Sequence, residues 1–338
     1  MYNKLINSIK PLGFTWQTND PFLFCVHHQD DYPKGNEKLG PDASLKGRPL
    51  GQDFTVKDGW RMYHGETVPG FPAHPHRGFE TITVVLEGFV DHSDSHGASG
   101  RYGQGDVQWM TAGKGLQHAE MFPLLSSENP NPLHLFQIWL NLPQKRKYCN
   151  PFYKMLWAEN IPVHSFKDKA DREITIRLIA GELDGIKPPD PAPDSWAADP
   201  DNEVAIWIIR MDKNASWTIP AASPETKRSL YFYEGDEISI AGVEVSKNNQ
   251  VDLLADQPVM IENSAKEAQL LLLQGRPINE PVVQHGPFVM NTQEEIRKAF
   301  SEYRNTQFGG WPWERFDNVH EKTEGRFASY NDGSIERP

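Results

Sequence analysis

The chain has 338 residues, with 46 acidic against 34 basic side chains and a formal charge of −12. That balance argues against a nucleic-acid surface, because phosphate contacts need clustered Lys and Arg. The length predicts two domains, and 26 glycines with 27 prolines and 11% aromatic residues predict strands joined by tight turns, not a helical bundle.

The opening stretch MYNKLINSIKPLGFTW lacks an apolar core ahead of a small-residue cleavage site. Nowhere does the chain approach the ~20 apolar residues that span a bilayer. A cytoplasmic protein without a membrane partner is therefore expected. Cys25 and Cys149 lie far apart and outside any CxxC spacing, which predicts two reduced thiols and no thiolate zinc site. In HHQDDYP, His27 and His28 with Asp30 and Asp31 could suggest a metal site, but neighbours on a strand point opposite ways and loop solvation is the expected state. Replacing His28 with Ala is thus expected to change neither metal content nor fold.

From about residue 60 short β-branched runs alternate with turns, the grammar of a β-sandwich or barrel. ETITVVLEG (80–88) ends in Gly88, RYGQGDVQWMTAGKGLQHAEM (101–121) carries four glycines, and HLFQIWLNLP (134–143) stops at Pro143. Between them DHSDSHG, with His92, Asp94 and His96, reads as a polar loop, and His64 is placed near an entrance. Residues 185–201, GIKPPDPAPDSWAADPD, hold five prolines and four aspartates and predict a surface loop without a regular element. Strand grammar then returns in VAIWIIRM (204–211), SLYFYEGDEISIAG (229–242) and AQLLLLQG (268–275). One helix is predicted near 292–308: Thr292 with Glu295 forms a capping box, Ile296, Phe300 and Tyr303 share a face, and Gly309-Gly310 stop it. Of the tail after residue 310, only the first part, with Trp311, Trp313 and Phe316, is expected to be anchored.

Nine of the twelve histidines precede residue 135, and none lies between Phe166 and Gln284. Imidazole chemistry is therefore confined to the first half. Two pairs there, His74-x-His76 at the mouth of a strand and His118-x-Glu120, have the i, i+2 spacing that aims both side chains to one side of a strand. Glycines lie upstream of each, Gly65 and Gly70 before the first and Gly113 and Gly115 before the second. Three imidazoles and a carboxylate converging inside a barrel fit a first-row divalent metal with one or two open positions. Iron leads, with manganese, nickel and zinc as alternatives, and Glu80 is a further candidate as ligand or as acceptor for a histidine N–H. No GxSxG, P-loop or GxGxxG pattern is present; GRYGQG has the wrong spacing and runs into a strand.

The segments GFPAHPHRGFETITVVLEG (70–88), GDVQWMTAGKGLQHAEM (105–121), FQIWLNLP (136–143) and HGPFVMNT (285–292) resemble the pirins, a family of the cupin superfamily. GGWPWERF resembles the ending of longer bacterial members, and the likeness runs from about Gly13 to Phe327. It implies an all-β chain of two cupin-like β-barrel domains facing each other, with a C-terminal helix and an extended tail. On this footing residues 1–148 form a metal-binding barrel, 149–310 a metal-free barrel with the proline-rich loop and helix, and 311–338 the tail. Carried over by motif, the ligands fall on His74, His76, His118 and Glu120, the metal is Fe(II), and Arg77 lies near the pocket mouth. The chain departs from the general cupin pattern in having seven residues between Glu80 and Gly88 and TAGKGLQH in place of a shorter proline-containing turn; both are consistent with Glu120, not Glu80, as the carboxylate ligand.

The resemblance implies a quercetin 2,3-dioxygenase-like reaction, in which O2 and a flavonol or related phenolic meet at the metal and Glu120 acts as base. Phe79, Trp109 and Phe122 would line the cavity. The alternative is an iron-dependent, redox-sensing module that binds a protein partner without turnover, for which the charge of −12 predicts a basic partner surface rather than DNA.

Overall fold

The computed structural model describes residues 4–338. Nearly every element is a strand, and the chain divides into two compact units that interleave in sequence: Val26–Ala158 with Glu280–Pro338, and Met1–Cys25 with Glu159–Asn279. The helix therefore belongs to the same unit as residues 26–158. Among the described residues no helix is long and apolar enough to cross a membrane.

In the first of these units two sheets build a barrel. One runs Phe152–Leu156, Val107–Thr111, Phe79–Glu87, Asn131–Asn141 and Phe22–Tyr32, the last of which enters this unit at Val26; the other runs Ile335–Glu336, Phe327–Ser329, Ser99–Gly103, Phe89–Asp94, Leu116–Met121 and Gly70–His76. Side chains alternate between faces, so the antiparallel register Thr81↔Trp139 and Thr83↔Gln137 sets these four residues on one face, with Ile82 and Ile138 on the other. Thr83 and Gln137 reach across the barrel to Glu120 of the second sheet. The interior of this barrel is thus polar.

The second unit is built on the same plan and filled differently. Its larger sheet runs Ile6–Pro11, Asn249–Leu254, Lys227–Glu234, Ala268–Gly275, Ala205–Met211, Glu173–Ala180 and Val163–Lys167, with a smaller sheet of Ser216–Ile219, Val259–Asn263, Glu237–Ile240 and Val243–Ser246. Ile174, Ile176, Leu178, Ile209, Leu230, Phe232, Leu270 and Leu272, all buried, close its interior. At about 25 cal/mol per Å² of apolar surface, rows of this kind supply the main favourable term of folding. The loop at 185–201 differs from expectation: Trp196–Ala198 and Pro200–Asn202 form short 3₁₀ turns, capped by the side chains of Ser195 and Asp199.

The helix, α1, spans Gln293–Thr306, and the Thr292 hydroxyl accepts the Glu295 N–H as the capping box requires. It ends three residues before Gly309, where Gln307 takes a left-handed conformation and Phe308 turns in to pack with Phe288, Ile296 and Ala299. The tail is anchored well past Phe316. Arg101 donates to the carbonyls of His320 and Glu321, and Phe327–Ser329 pairs with Ser99–Gly103. Aromatic residues near the start of the tail drew the expectation; the later anchors are backbone groups, which composition does not show.

Candidate metal centre

His74 and His76 close their own strand, Gly70–His76, which pairs antiparallel with Leu116–Met121 so that His74 stands opposite His118. Phe71 stands opposite Glu120, three residues against two, so the first strand carries one extra residue as a bulge. The close approach of these strands rests on Gly70, at φ +130°, where a Cβ would lie 2.5 Å from the Glu120 carbonyl oxygen. Alternation then points all three imidazoles inward. Ring centroids are 4.5 Å apart for His74–His118, 4.8 Å for His74–His76 and 4.9 Å for His76–His118. One nitrogen from each ring lies within 4.8 Å of the other two.

The hydrogen bonds around the rings leave lone pairs facing inward. His74 Nδ1 lies 2.9 Å from the Pro72 carbonyl and His76 Nδ1 3.4 Å from that of Pro287; a carbonyl only accepts, so each Nδ1 donates and each Nε2 is left with its lone pair. Both nitrogens of His118, which is fully buried, have no hydrogen-bond partner among the described residues. Burial pushes His74 down to about 4 and carries His76 and His118 well below the ordinary histidine range. Neutral imidazoles with free nitrogens are what a divalent cation requires, and an orphaned buried nitrogen is costly without one.

Glu120 extends the group on one side. Its Oε2 is 3.6 Å from His118 Nε2, its Oε1 accepts from the Thr83 hydroxyl at 3.1 Å, and its Oε2 accepts from the Gln137 amide at 2.5 Å. Burial raises its pKa, with His92, Gln137 and Thr83 opposing the shift. The set in which every donor atom lies within 4.8 Å holds the three histidines without it.

Of the residues expected to line the pocket, the structure brings Phe79 to this site: its ring is 5.0 Å from His76 and stacks on Trp139 at 3.9 Å. Glu80 follows Phe79 on the strand and so faces the other side, where it accepts from the Thr111 hydroxyl at 2.7 Å. Trp109 is paired with Ile82 and shares that side. Arg77 turns away from the rings. Its Nε donates to the Lys114 carbonyl and its Nη1 to Glu302 of α1 at 2.7 Å, while its guanidinium lies over Phe308 at 4.4 Å. Phe122 packs in an apolar cluster with Tyr32, Tyr63 and Leu124. His64 is exposed, with Nδ1 2.6 Å from the Gly51 carbonyl and its ring against Phe71.

The loop expected around His92 is a strand, Phe89–Asp94. His92 is fully buried, its ring 5.6 Å from that of His118 and stacked on Tyr153, and its backbone pairs with Glu120. It is a fourth imidazole beside the centre. The signal that could have found it is the same i, i+2 spacing, here His92-x-Asp94, with Nε2 3.4 Å from the Asp94 carboxylate. His28 is likewise not in a solvated loop. It lies buried on Phe22–Tyr32, with Nδ1 2.8 Å from the Tyr63 hydroxyl, which donates to Asp30, itself paired with Arg61. His27 instead meets His134, Nε2 to Nε2 at 2.8 Å.

The sequence matches the family model described as Pirin over residues 10–140 and that described as Pirin C-terminal cupin domain over residues 206–309. It is 36% identical over 253 residues to pirin from Homo sapiens, covering 73% of this chain and 80% of that one. It is 35% identical over 240 residues to a Pseudomonas aeruginosa protein provisionally named quercetin 2,3-dioxygenase, covering 71% and 79%. In fold it is similar to the crystal structure of quercetin 2,3-dioxygenase from Acinetobacter baumannii, with a TM-score of 0.70 over 90% of this chain and 98% of that one at 24% identity.

Proposed function

Because this chain belongs to the pirin family of two-cupin proteins, we propose that it is a metal-dependent dioxygenase acting on a flavonol or related phenolic in the cytoplasm. His74, His76, His118 and Glu120 would hold the metal, with Fe(II) the expected ion. The observation that carries this reading is the convergence of three neutral imidazoles, one with both nitrogens unpartnered among the described residues, on the inner side of the barrel. The provisional name of the Pseudomonas aeruginosa relative supports the substrate class. A bound metal of this kind supplies Lewis acidity and a one-electron couple for O2 chemistry.

The residues of the chain do the rest. Glu120, raised by burial, takes the proton of the substrate hydroxyl on a carboxylate oxygen, and Thr83 and Gln137 keep that carboxylate in place by donating to it. The Pro72 and Pro287 carbonyls fix the tautomers of His74 and His76. Phe79 stacked on Trp139 beside His76 offers a flat apolar wall suited to an aromatic ring.

Oxygen uptake by anaerobically purified, Fe(II)-loaded protein given quercetin tests the proposal, with His118→Ala alongside. Uptake that needs both metal and quercetin supports it. An iron-retaining protein that consumes no oxygen would overturn it and favour the redox-sensing module that binds a basic protein surface, the reading that the charge of −12 supports.

A further inference from the structure

The second unit, which contributes nothing to the metal centre, contains a cavity of about 540 Å³ at one end of its barrel. The inward rows of two neighbouring strands explain why. Leu230 and Phe232 on one and Leu270 and Leu272 on the other fill the core, and the same rows end at the cavity in Arg228 and Gln274, which stand opposite each other. Trp207 and Ala205 form a further wall, and the proline-rich segment from Lys187 to Pro200 contributes the outer one.

Arg228 is 2% exposed. Its Nε donates to Gln274 Oε1 at 2.7 Å, but the N–H groups of Nη1 have no hydrogen-bond partner among the described residues. Glu203, which also lines the cavity, does not fill that role: its carboxylate accepts from the Ser223 backbone and hydroxyl and from Thr226. Burial lowers Arg228 only to about 10, so it stays cationic at neutral pH. A buried guanidinium with unsatisfied donors at the floor of a cavity lacks an acceptor, and its fork geometry matches a carboxylate.

We propose that this cavity is a binding site for a small organic monocarboxylate, held by Arg228 with its apolar part against Trp207 and the prolines. Among the exposed lining residues the acids Glu182, Asp190 and Asp199 outnumber the one cation, Lys187, which disfavours a dianion such as phosphate more than a monoanion. This site is independent of the metal chemistry proposed above.

Calorimetric titration of the metal-loaded protein with benzoate, and separately with inorganic phosphate, tests it. Saturable one-to-one binding of benzoate is expected, weakened at least about tenfold in Arg228→Met, as loss of a charge-assisted hydrogen bond implies. Arg228→Lys, which keeps the charge and loses the fork, should weaken it by less; it serves as the test if thermal melting shows Arg228→Met unfolded. Metal content should match wild type in both. Absence of saturable benzoate binding, undiminished binding in a folded Arg228→Met (or in Arg228→Lys where Met unfolds), or phosphate binding as tight as benzoate would each overturn the proposal. Undiminished binding would place the benzoate elsewhere, the metal centre included.

Discussion

His28 offers a quantitative check on the buried network beside the metal centre. It is neutral in the folded chain, held by the Tyr63 hydroxyl, with burial and the nearby Arg61 charge lowering its pKa from the ordinary 6.5 to about 3. Below 6.5 the unfolded chain takes up a proton that the folded chain refuses, so stability rises with pH across this window and is lost on acidification. Between pH 6.5 and 5 that is 1.5 pH units at 1.36 kcal/mol each, or about 2 kcal/mol. In His28→Phe the ring is kept among Phe71 and Phe122, while the bond to Tyr63, worth about 1 kcal/mol, and the titration are both removed. The variant should therefore be about 1 kcal/mol less stable than wild type at pH 7.5 and no less stable at pH 5. Urea unfolding of the metal-free protein at both pH values measures this, with each transition fitted separately because the two units need not unfold together. A gap between variant and wild type that stays the same at both pH values would refute the argument.

Other substitutions address the centre and its supports. His118→Ala should lose most of the bound metal yet keep a folded barrel, checked by elemental analysis beside circular dichroism; unchanged metal content would mean that the ligands lie elsewhere. In Glu120→Gln, which removes the one ligand whose pKa burial raises, metal affinity should be nearly flat from pH 7.5 to 5 and fall as pH drops through about 4, where burial holds His74, whereas an exposed imidazole site would already weaken below 6.5; competition with a chelator at each pH reads this. Glu120→Gln should lower turnover far more than metal content, since the three imidazoles remain; equal losses in both would remove the case for its acting as a base. Truncation after Asn318 removes the His320 and Glu321 carbonyls from the buried Arg101 and the strand Phe327–Ser329 from the sheet, and should lower the melting temperature by several degrees.

The convergence of His74, His76 and His118 was legible because its information is local: two i, i+2 pairs, each in a segment that reads as a strand. A period of two predicts a shared face whether or not the partner strand is known. What the period does not give is which face. Glu80 and Trp109 were expected beside the metal because they sit near the motif, but the register Ile82↔Trp109 places them on the side opposite Phe79. Arg77 shows the same limit: it adjoins His76 in sequence and is bound to Glu302, 225 residues away. His92 was hidden for another reason. DHSDSHG has the composition of a turn, and only pairing with Leu116–Met121 and Ser99–Gly103 makes it a strand whose histidine is buried.

The two barrels share a strand grammar and differ in what fills them, and that difference bears on where chemistry can occur. Burying Glu120, His118, His92 and Thr83 in the first costs stability unless each group finds a partner, and His118 and His92 still carry nitrogens without a hydrogen-bond partner among the described residues. A metal would supply the partner missing from His118. The second barrel accepts no such cost in its interior, where Leu230, Phe232, Leu270 and Leu272 close the space a ligand would need. Arg228, at the end of that apolar row, is buried with an Nη1 that has no hydrogen-bond partner among the described residues, and it lies where the packing stops. The ligand proposed for the second barrel would therefore bind where that packing stops and be anionic, whereas the metal proposed for the first would sit among its buried imidazoles.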